Sequence, residues 1–296
     1  MKRLGIILCE VFEEEMLQLL SSKNDIFDRI IIVDTESSKY FQKMLEQKIP
    51  PEKIKIAREL CSTRFLKREN PTEIILYILP FYLHTSPQQI KEQVVNASKE
   101  IEKHIDKLIL FYGLCGNSLT DIEELLKNNR LKVPVTLLLD EKKEIVDDCI
   151  CALLGSREEY SKELYKEGGT WFMTIGWSRH WDKIAKERAE ILGQEHMEQL
   201  AKKLGIKKLD GLENLKLIFD HTKYKRLLAL KLGFEDNSEY EPKCEDFASS
   251  LGLGLCYRKG TLKLLEKYLY KNKDENLLRL FTCGNSIISG EYGFIF

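Results

Sequence analysis

Thiols and imidazoles are the side chains of this sequence whose placement points to chemistry. Among eight cysteines and five histidines, Cys9, His84 and Cys115 each follow an aliphatic run, and Cys149 opens a helical pattern. Three cysteines and a histidine can ligate zinc tetrahedrally, and three cysteines can hold an iron-sulfur cluster. No CxxC pair occurs, so the fold itself would have to assemble the ligands, unlike in a zinc ribbon or a thioredoxin motif. Cys149 and Cys151 point to different faces of a helix, so at most one is expected in the site. Cys149 is favoured because the start of a helix favours the thiolate, although Asp147 and Asp148 oppose that shift. Burial is the competing explanation, since free cysteine is among the most buried residue types and a histidine after a strand often bonds only backbone. Cys61, Cys151, Cys244 and Cys256 are read that way.

The segment Tyr112-Gly113-Leu114-Cys115-Gly116-Asn117-Ser118 is the second candidate. Gly113 and Gly116 would let a strand-to-helix turn approach a ligand, Asn117 or Ser118 would cap the following helix, and backbone N–H groups would face an anion. An ordinary tight turn needs the same glycines for geometry alone. The sequence has no GxxxxGK[ST] and no GxGxxG, which argues against ATP and NAD. Arg157 is a candidate bidentate partner for a carboxylate or phosphate, and Trp177 a candidate pocket wall, each against a blander reading as solvated arginine and core tryptophan. Glu13-Glu14-Glu15 and Glu158-Glu159 read as solvated helix faces.

Short aliphatic runs alternating with longer charged segments of helical period predict an α/β fold: two Rossmann-like lobes with mainly parallel sheets flanked by helices. Strands are expected at Arg3 to Cys9, Asp28 to Val33, Glu73 to Leu79, Asp106 to Leu114 and Val133 to Leu139, with helices at Glu13 to Leu20, Ser38 to Gln47, Pro51 to Phe65, Pro87 to Lys103 and Thr120 to Asn128. The non-alternating runs Ile74 to Leu79 and Leu108 to Leu114 should be central strands, covered on both faces. A helix from Cys149 to about Tyr165 leads to Gly168-Gly169, which divides a lobe of residues 1–167 carrying the Cys/His motifs from a second lobe of residues 168–296. In the second lobe, strands are expected at Thr170 to Ile175, Arg226 to Leu232, Leu251 to Cys256 and Leu278 to Thr282. Helices are expected at Trp181 to Leu204, Pro242 to Ser250 and Thr261 to Tyr270. Thr282-Cys283-Gly284-Asn285-Ser286 echoes Leu114 to Ser118, which leaves Cys283 and a duplication of the lobes open. In such a sheet ligands bind at the carboxyl ends of the strands, the edge at which Cys9, His84 and Cys115 are expected.

The 296 residues include 43% hydrophobic and 31% charged side chains, with 46 Lys+Arg against 47 Asp+Glu and a formal net charge of -1. That composition excludes a disordered or disulfide-framed chain and lacks the basic excess of a nonspecific nucleic-acid binder. The longest apolar stretch is too short to span a bilayer, and a cytoplasmic location is expected, where thiols stay reduced.

Cys9, Leu83-His84 with Pro87, Tyr112 to Asn117, Asp148-Cys149, Leu153 to Arg157, and Gly169-Thr170 with Gly176-Trp177 together resemble domain-of-unknown-function family 1638, of methanogenic archaea and anaerobic bacteria. The resemblance runs from Arg3 to Trp177 and continues loosely to about Leu280. It implies that Cys9, His84, Cys115 and Cys149 form one polar set, a shared metal or reactive-thiol site. The chain departs from the family pattern where Asp148, not histidine, precedes Cys149 and where no proline precedes Gly176. The family's association with corrinoid-dependent one-carbon metabolism implies a corrinoid or a corrinoid-protein partner as a further expectation and gives no reaction.

Three functions are therefore weighed. The first is a zinc-thiolate protein of one-carbon metabolism, a metal-dependent transferase of thiol or methyl groups. The second is a non-catalytic module holding a small anionic metabolite between the lobes at Gly113 to Ser118 and Arg157. The third is an iron-sulfur or redox-thiol protein using Cys115 and Cys149.

Overall fold

A computed structural model of the chain describes residues 3–60, 72–180 and 224–270. The expected helix at Trp181 to Leu204, the strand at Leu278 to Thr282, Cys61 and Cys283 lie outside the described residues. The fold is α/β and divides into two compact units, one drawn from Met1–Arg157 with Leu262–Phe296 and the other from Glu158–Thr261.

In the first unit the chain runs β1 (Arg3–Cys9), α1 (Glu13–Ser22), β2 (Arg29–Val33), α2 (Lys39–Glu46), β3 (Ile54–Ala57), β4 (Glu73–Leu79), α3 (Pro87–Ile101), β5 (Lys107–Phe111), α4 (Ile122–Asn128), β6 (Val135–Leu137) and α5 (Cys149–Leu154). Six parallel strands form one sheet in the order β3-β2-β4-β1-β5-β6. The apolar runs of β1, β4 and β5 are buried almost throughout because helices cover both faces of a central parallel strand. Helix α3 shows why the flanking segments are helical. Ser86 accepts from the Gln89 N–H at 3.4 Å, Pro87 occupies the first turn where its missing N–H is harmless, and Ile90, Val94, Ala97 and Ile101 form the buried stripe.

Two expectations about elements fail. The segment expected to be helical from Pro51 to Phe65 forms a strand at Ile54–Ala57, paired in parallel with β2. Pro51 opens only a single tight turn, Pro51–Lys53, and Ile54-Lys55-Ile56 then alternates with the period of an edge strand. The single helix expected from Cys149 to Tyr165 is two helices, α5 and α6 (Arg157–Leu164). Gly155 ends α5 in the left-handed conformation at φ 91°, its N–H donating to the Cys151 carbonyl at 3.0 Å.

The second unit contains α6, β7 (Thr170–Met173), β8 (Arg226–Lys231), α7 (Asn237–Leu251) and β9 (Gly254–Lys259), whose strands form a parallel three-stranded sheet in the order β7-β8-β9. Its core gathers Met173, Leu227, Ala229, Tyr240, Cys244, Phe247 and Leu251, with Trp171 and Trp177 packed against it. Helix α8 (Lys263–Tyr270) belongs to the first unit, where the Tyr268 hydroxyl accepts from the Leu139 N–H at 2.9 Å. Among the described residues no helix is long and apolar enough to cross a membrane.

Candidate functional site

The site grows from the strand order of the first unit. The chain leaves β1 toward β2 on one side and leaves β5 toward β6 on the other, and β1 and β5 are neighbours. Connections that diverge from adjacent parallel strands open a crevice at their carboxyl ends. Parallel pairing of Leu8 with Phe111 places Cys9 and Tyr112 side by side at that edge, and pairing of Cys9 with Leu79 brings in the segment that carries His84.

Cys149 arrives by a different route. The backbone of Val146 to Asp148 lies across the β5 exit, where Leu114 N–H donates to the Val146 carbonyl at 2.9 Å and Cys115 N–H to the Asp147 carbonyl at 2.7 Å. Gly113 permits this, because a Cβ there would stand 2.3 Å from the Val146 carbonyl oxygen and 2.7 Å from the Asp148 nitrogen. Asp148 then caps α5, its carboxylate accepting from the Cys151 N–H at 2.9 Å, and Cys149 is the first residue of the helix.

Cys115, Gly116 and Asn117 take positive φ in succession, at 47°, 64° and 68°. For the two residues with side chains this conformation is strained, at a cost on the order of 1–2 kcal/mol each. Helix α4 starts at Ile122, so neither Asn117 nor Ser118 caps it as expected. The N–H groups of Leu114, Cys115 and Ser118 donate to carbonyls of the chain itself, and backbone rather than ligand approaches Gly113.

Cys9, Cys115 and Cys149 are free thiols within electrostatic reach of one another. Burial pushes Cys9 and Cys149 well above the usual thiol range and Cys115 up to about 12. The charges acting most strongly on them are negative: Asp148 on Cys115 and Cys149, Glu10 and Glu13 on Cys9, and Glu15 on Cys149. The expected pull of the helix start on Cys149 is thus overcome, and all three are protonated thiols near neutral pH. Among the described residues of this unit, no three His, Cys, Asp or Glu donor atoms stand mutually within 4.8 Å.

His84 sits in a short turn, Phe81–Thr85, after β4. Its Nδ1 lies 2.9 Å from the Phe81 carbonyl, which can only accept, so Nδ1 carries the hydrogen and Nε2 keeps its lone pair. That is the tautomer of a metal-binding histidine oriented by a backbone carbonyl. Burial lowers its pKa, which keeps the ring neutral. The imidazole stacks on Tyr112, the residue beside Cys9 in the strand register, with ring centroids 6.2 Å apart.

Sequence reasoning missed the carboxylates. Glu13 and Glu15 are not solvated: they are 1% and 0% exposed, and Glu10 and Glu14 are buried too. The link from β1 to α1 is the three-residue turn Glu10–Phe12, so the first turn of α1 sits against the sheet edge. Glu10 accepts from the Phe81 N–H at 3.1 Å and Glu14 from the Tyr40 hydroxyl at 2.6 Å. The signal lay in their closeness to Cys9, a strand end.

The remaining candidates lie elsewhere. Arg157 already holds a carboxylate, that of Asp147, through Nε at 3.1 Å and a terminal nitrogen at 3.0 Å. Trp177 belongs to the second unit, edge-to-face with Trp171 at 5.4 Å. Cys151 and Cys244 are buried core residues, as expected.

Three thiols and a neutral imidazole are the donor types a borderline-soft cation takes, and the negative charges beside the thiols would favour one, although among the described residues of this unit these donors are not gathered within 4.8 Å of one another. A protein-family model described as "Protein of unknown function (DUF1638)" matches residues 78–269. That span includes His84, Tyr112, Cys115, Cys149, Arg157 and Trp177 and begins after β1, which carries Cys9. No curated protein matches the chain.

Proposed function

The chain belongs to this family of unknown function, and we propose that it is a metal-thiolate protein in which Cys9, Cys115 and Cys149, with His84 as a fourth donor, hold zinc. One observation supports the reading: three thiols carried by separate segments lie within electrostatic reach of one another near the carboxyl ends of β1 and β5, and the charges around them are negative. Ionising them together in that setting is unfavourable without a cation, and metal binding supplies the compensation as the protons leave.

Bound zinc would supply Lewis acidity that lowers the pKa of a coordinated thiol. The chain's own residues do the rest. The Gly113 crossing delivers Cys149 to Cys115, Asp148 fixes the start of α5, and the Phe81 carbonyl holds His84 in the tautomer that can ligate. Three sulfurs alone leave a position for a substrate thiol, as transfer of a methyl or thiol group requires, whereas ligation by His84 closes the site. The link to corrinoid-dependent one-carbon metabolism rests on the family resemblance. The anion-binding reading has less support, because backbone fills the space at Gly113 and Asp147 engages Arg157. A reactive-thiol reading has less support too, because the thiols are shifted away from the thiolate.

The test is zinc quantification after anaerobic loading and dialysis. The parent protein is expected to retain about one equivalent. Cys115→Ser is expected to retain much less with unchanged circular dichroism, and a parent protein holding under about a tenth of an equivalent refutes the proposal.

A further inference from the structure

Tyr112 is the first residue beyond β5, and the parallel register that pairs Leu8 with Phe111 sets it beside Cys9. The residue is 1% exposed, and the His84 ring lies on it nearly parallel, at 18°. Its hydroxyl is buried and has no hydrogen-bond partner among the described residues. The Cys9 thiol faces it without a hydrogen bond of normal geometry.

A buried phenol hydroxyl ordinarily has a partner, and phenylalanine would fill nearly the same space without the cost of burying a polar atom. A neutral thiol is a weak acceptor, whereas a thiolate forms a charge-assisted hydrogen bond. A metal-bound sulfur at Cys9, the neighbour that the strand register provides, would supply the acceptor this buried hydroxyl lacks.

We infer that Tyr112 is a positioning residue of the proposed centre, its O–H donating to the Cys9 sulfur once that sulfur is a metal-bound thiolate. The inference rests on the zinc-thiolate reading and adds an outer ligand to it. The stack on His84 holds the phenol ring in place, so one side chain links two of the four donors. The hydrogen bond withdraws electron density from the Cys9 sulfur and fixes its rotamer, which distinguishes Cys9 from Cys115 and Cys149. Outer hydrogen bonds of this kind typically change metal affinity 10–100-fold.

Cobalt(II) is the probe, because its thiolate charge-transfer absorption reports on the sulfur directly. Metal-free protein is titrated anaerobically as parent and as Tyr112→Phe, and the pair is repeated in Cys149→Ser and Cys9→Ser backgrounds. Tyr112→Phe is expected to take up about one equivalent, with the charge-transfer band moved to longer wavelength and affinity lowered on the order of tenfold. The band shift should persist in Cys149→Ser and vanish in Cys9→Ser. The metal-free Tyr112→Phe protein is expected to melt within about 3 °C of the parent, since no formed hydrogen bond is lost. A larger drop counts against the inference by revealing a structural partner. Band and affinity unchanged in Tyr112→Phe, with a parent that loads, overturn the role of Tyr112 and leave the metal reading standing. A parent that takes up neither cobalt nor zinc overturns both.

Discussion

Gly113 and Val146 are in backbone contact so close that a single methyl group on Gly113 would stand 2.3 Å from the Val146 carbonyl oxygen. The obstacle is the backbone of a single segment, with Asp147 and Asp148 also under 3.0 Å, so no side chain can swing away to make room. Gly113→Ala must therefore push apart the two segments that carry Cys115 and Cys149. The expected cost is about 2–3 kcal/mol, the scale of an overpacked site, read as a lower denaturation midpoint at unchanged slope. Zinc retention should fall with it. An alanine variant with parental stability would show that the crossing is loose.

The pairing of Arg157 with Asp147 braces the segment that makes this crossing. Both guanidinium contacts reach one carboxylate, and both side chains are partly buried, at 28% and 20% exposure. A two-point pair of this kind should be worth about 1 kcal/mol in a double-mutant cycle of Arg157→Ala and Asp147→Ala. Because Asp147 accepts the Cys115 N–H through its backbone carbonyl, not its side chain, the substitutions should lower stability without removing zinc. Loss of zinc in Arg157→Ala would assign the arginine to the site after all.

How much was readable beforehand follows from where each residue gets its surroundings. Cys9 ends β1, His84 and Cys115 come after β4 and β5, and those strands are long apolar runs because both faces are covered, so their ends are visible as the point where the run stops. Cys149 lies beyond β6, and only the crossing over Gly113 brings it in; the glycine was legible, but its partner was not. The burial of Glu13 and Glu15 depends on how a three-residue turn aims α1, and no charge pattern encodes that. Likewise Ile54–Ala57 was masked by charged neighbours, since an edge strand four residues long carries little periodicity.

In the second unit, Glu163 lies between Arg226 and Arg258, accepting at 2.6 Å from each. Arg226 is 6% exposed on its side chain and also donates to the Thr170 hydroxyl. Burial alone would raise the Glu163 carboxyl, but the two guanidinium groups and Lys166 bring it below the usual carboxylate range. A group whose pKa is depressed by folding stabilises the protein above its unfolded pKa, about 4.3, and that contribution is lost as pH falls through the folded value. Glu163→Gln should therefore cost about 2 kcal/mol at pH 7 and progressively less below about pH 4, in acid titrations of the unfolding midpoint. A penalty that stayed constant down to pH 3 would show that packing, not charge, sets the value of this residue.

Zinc should also stabilise the folded chain, since a ligand that binds the native state alone adds RT ln(1 + [L]/Kd). At about a hundredfold excess over Kd this is about 2.7 kcal/mol, a rise in melting temperature of a few degrees for a chain of this size. The variants should fall in order. Cys115→Ser and Cys149→Ser should lose most of the rise, because the Gly113 crossing ties their segments together and a hydroxyl is a poor substitute for a thiolate. His84→Ala should keep part of it, because the three sulfurs remain and the imidazole, stacked on Tyr112, is the fourth donor. Differential scanning calorimetry with and without zinc under anaerobic conditions measures each rise. If His84→Ala removed the whole effect while Cys149→Ser retained it, zinc would have to be held around the histidine instead of by the three sulfurs.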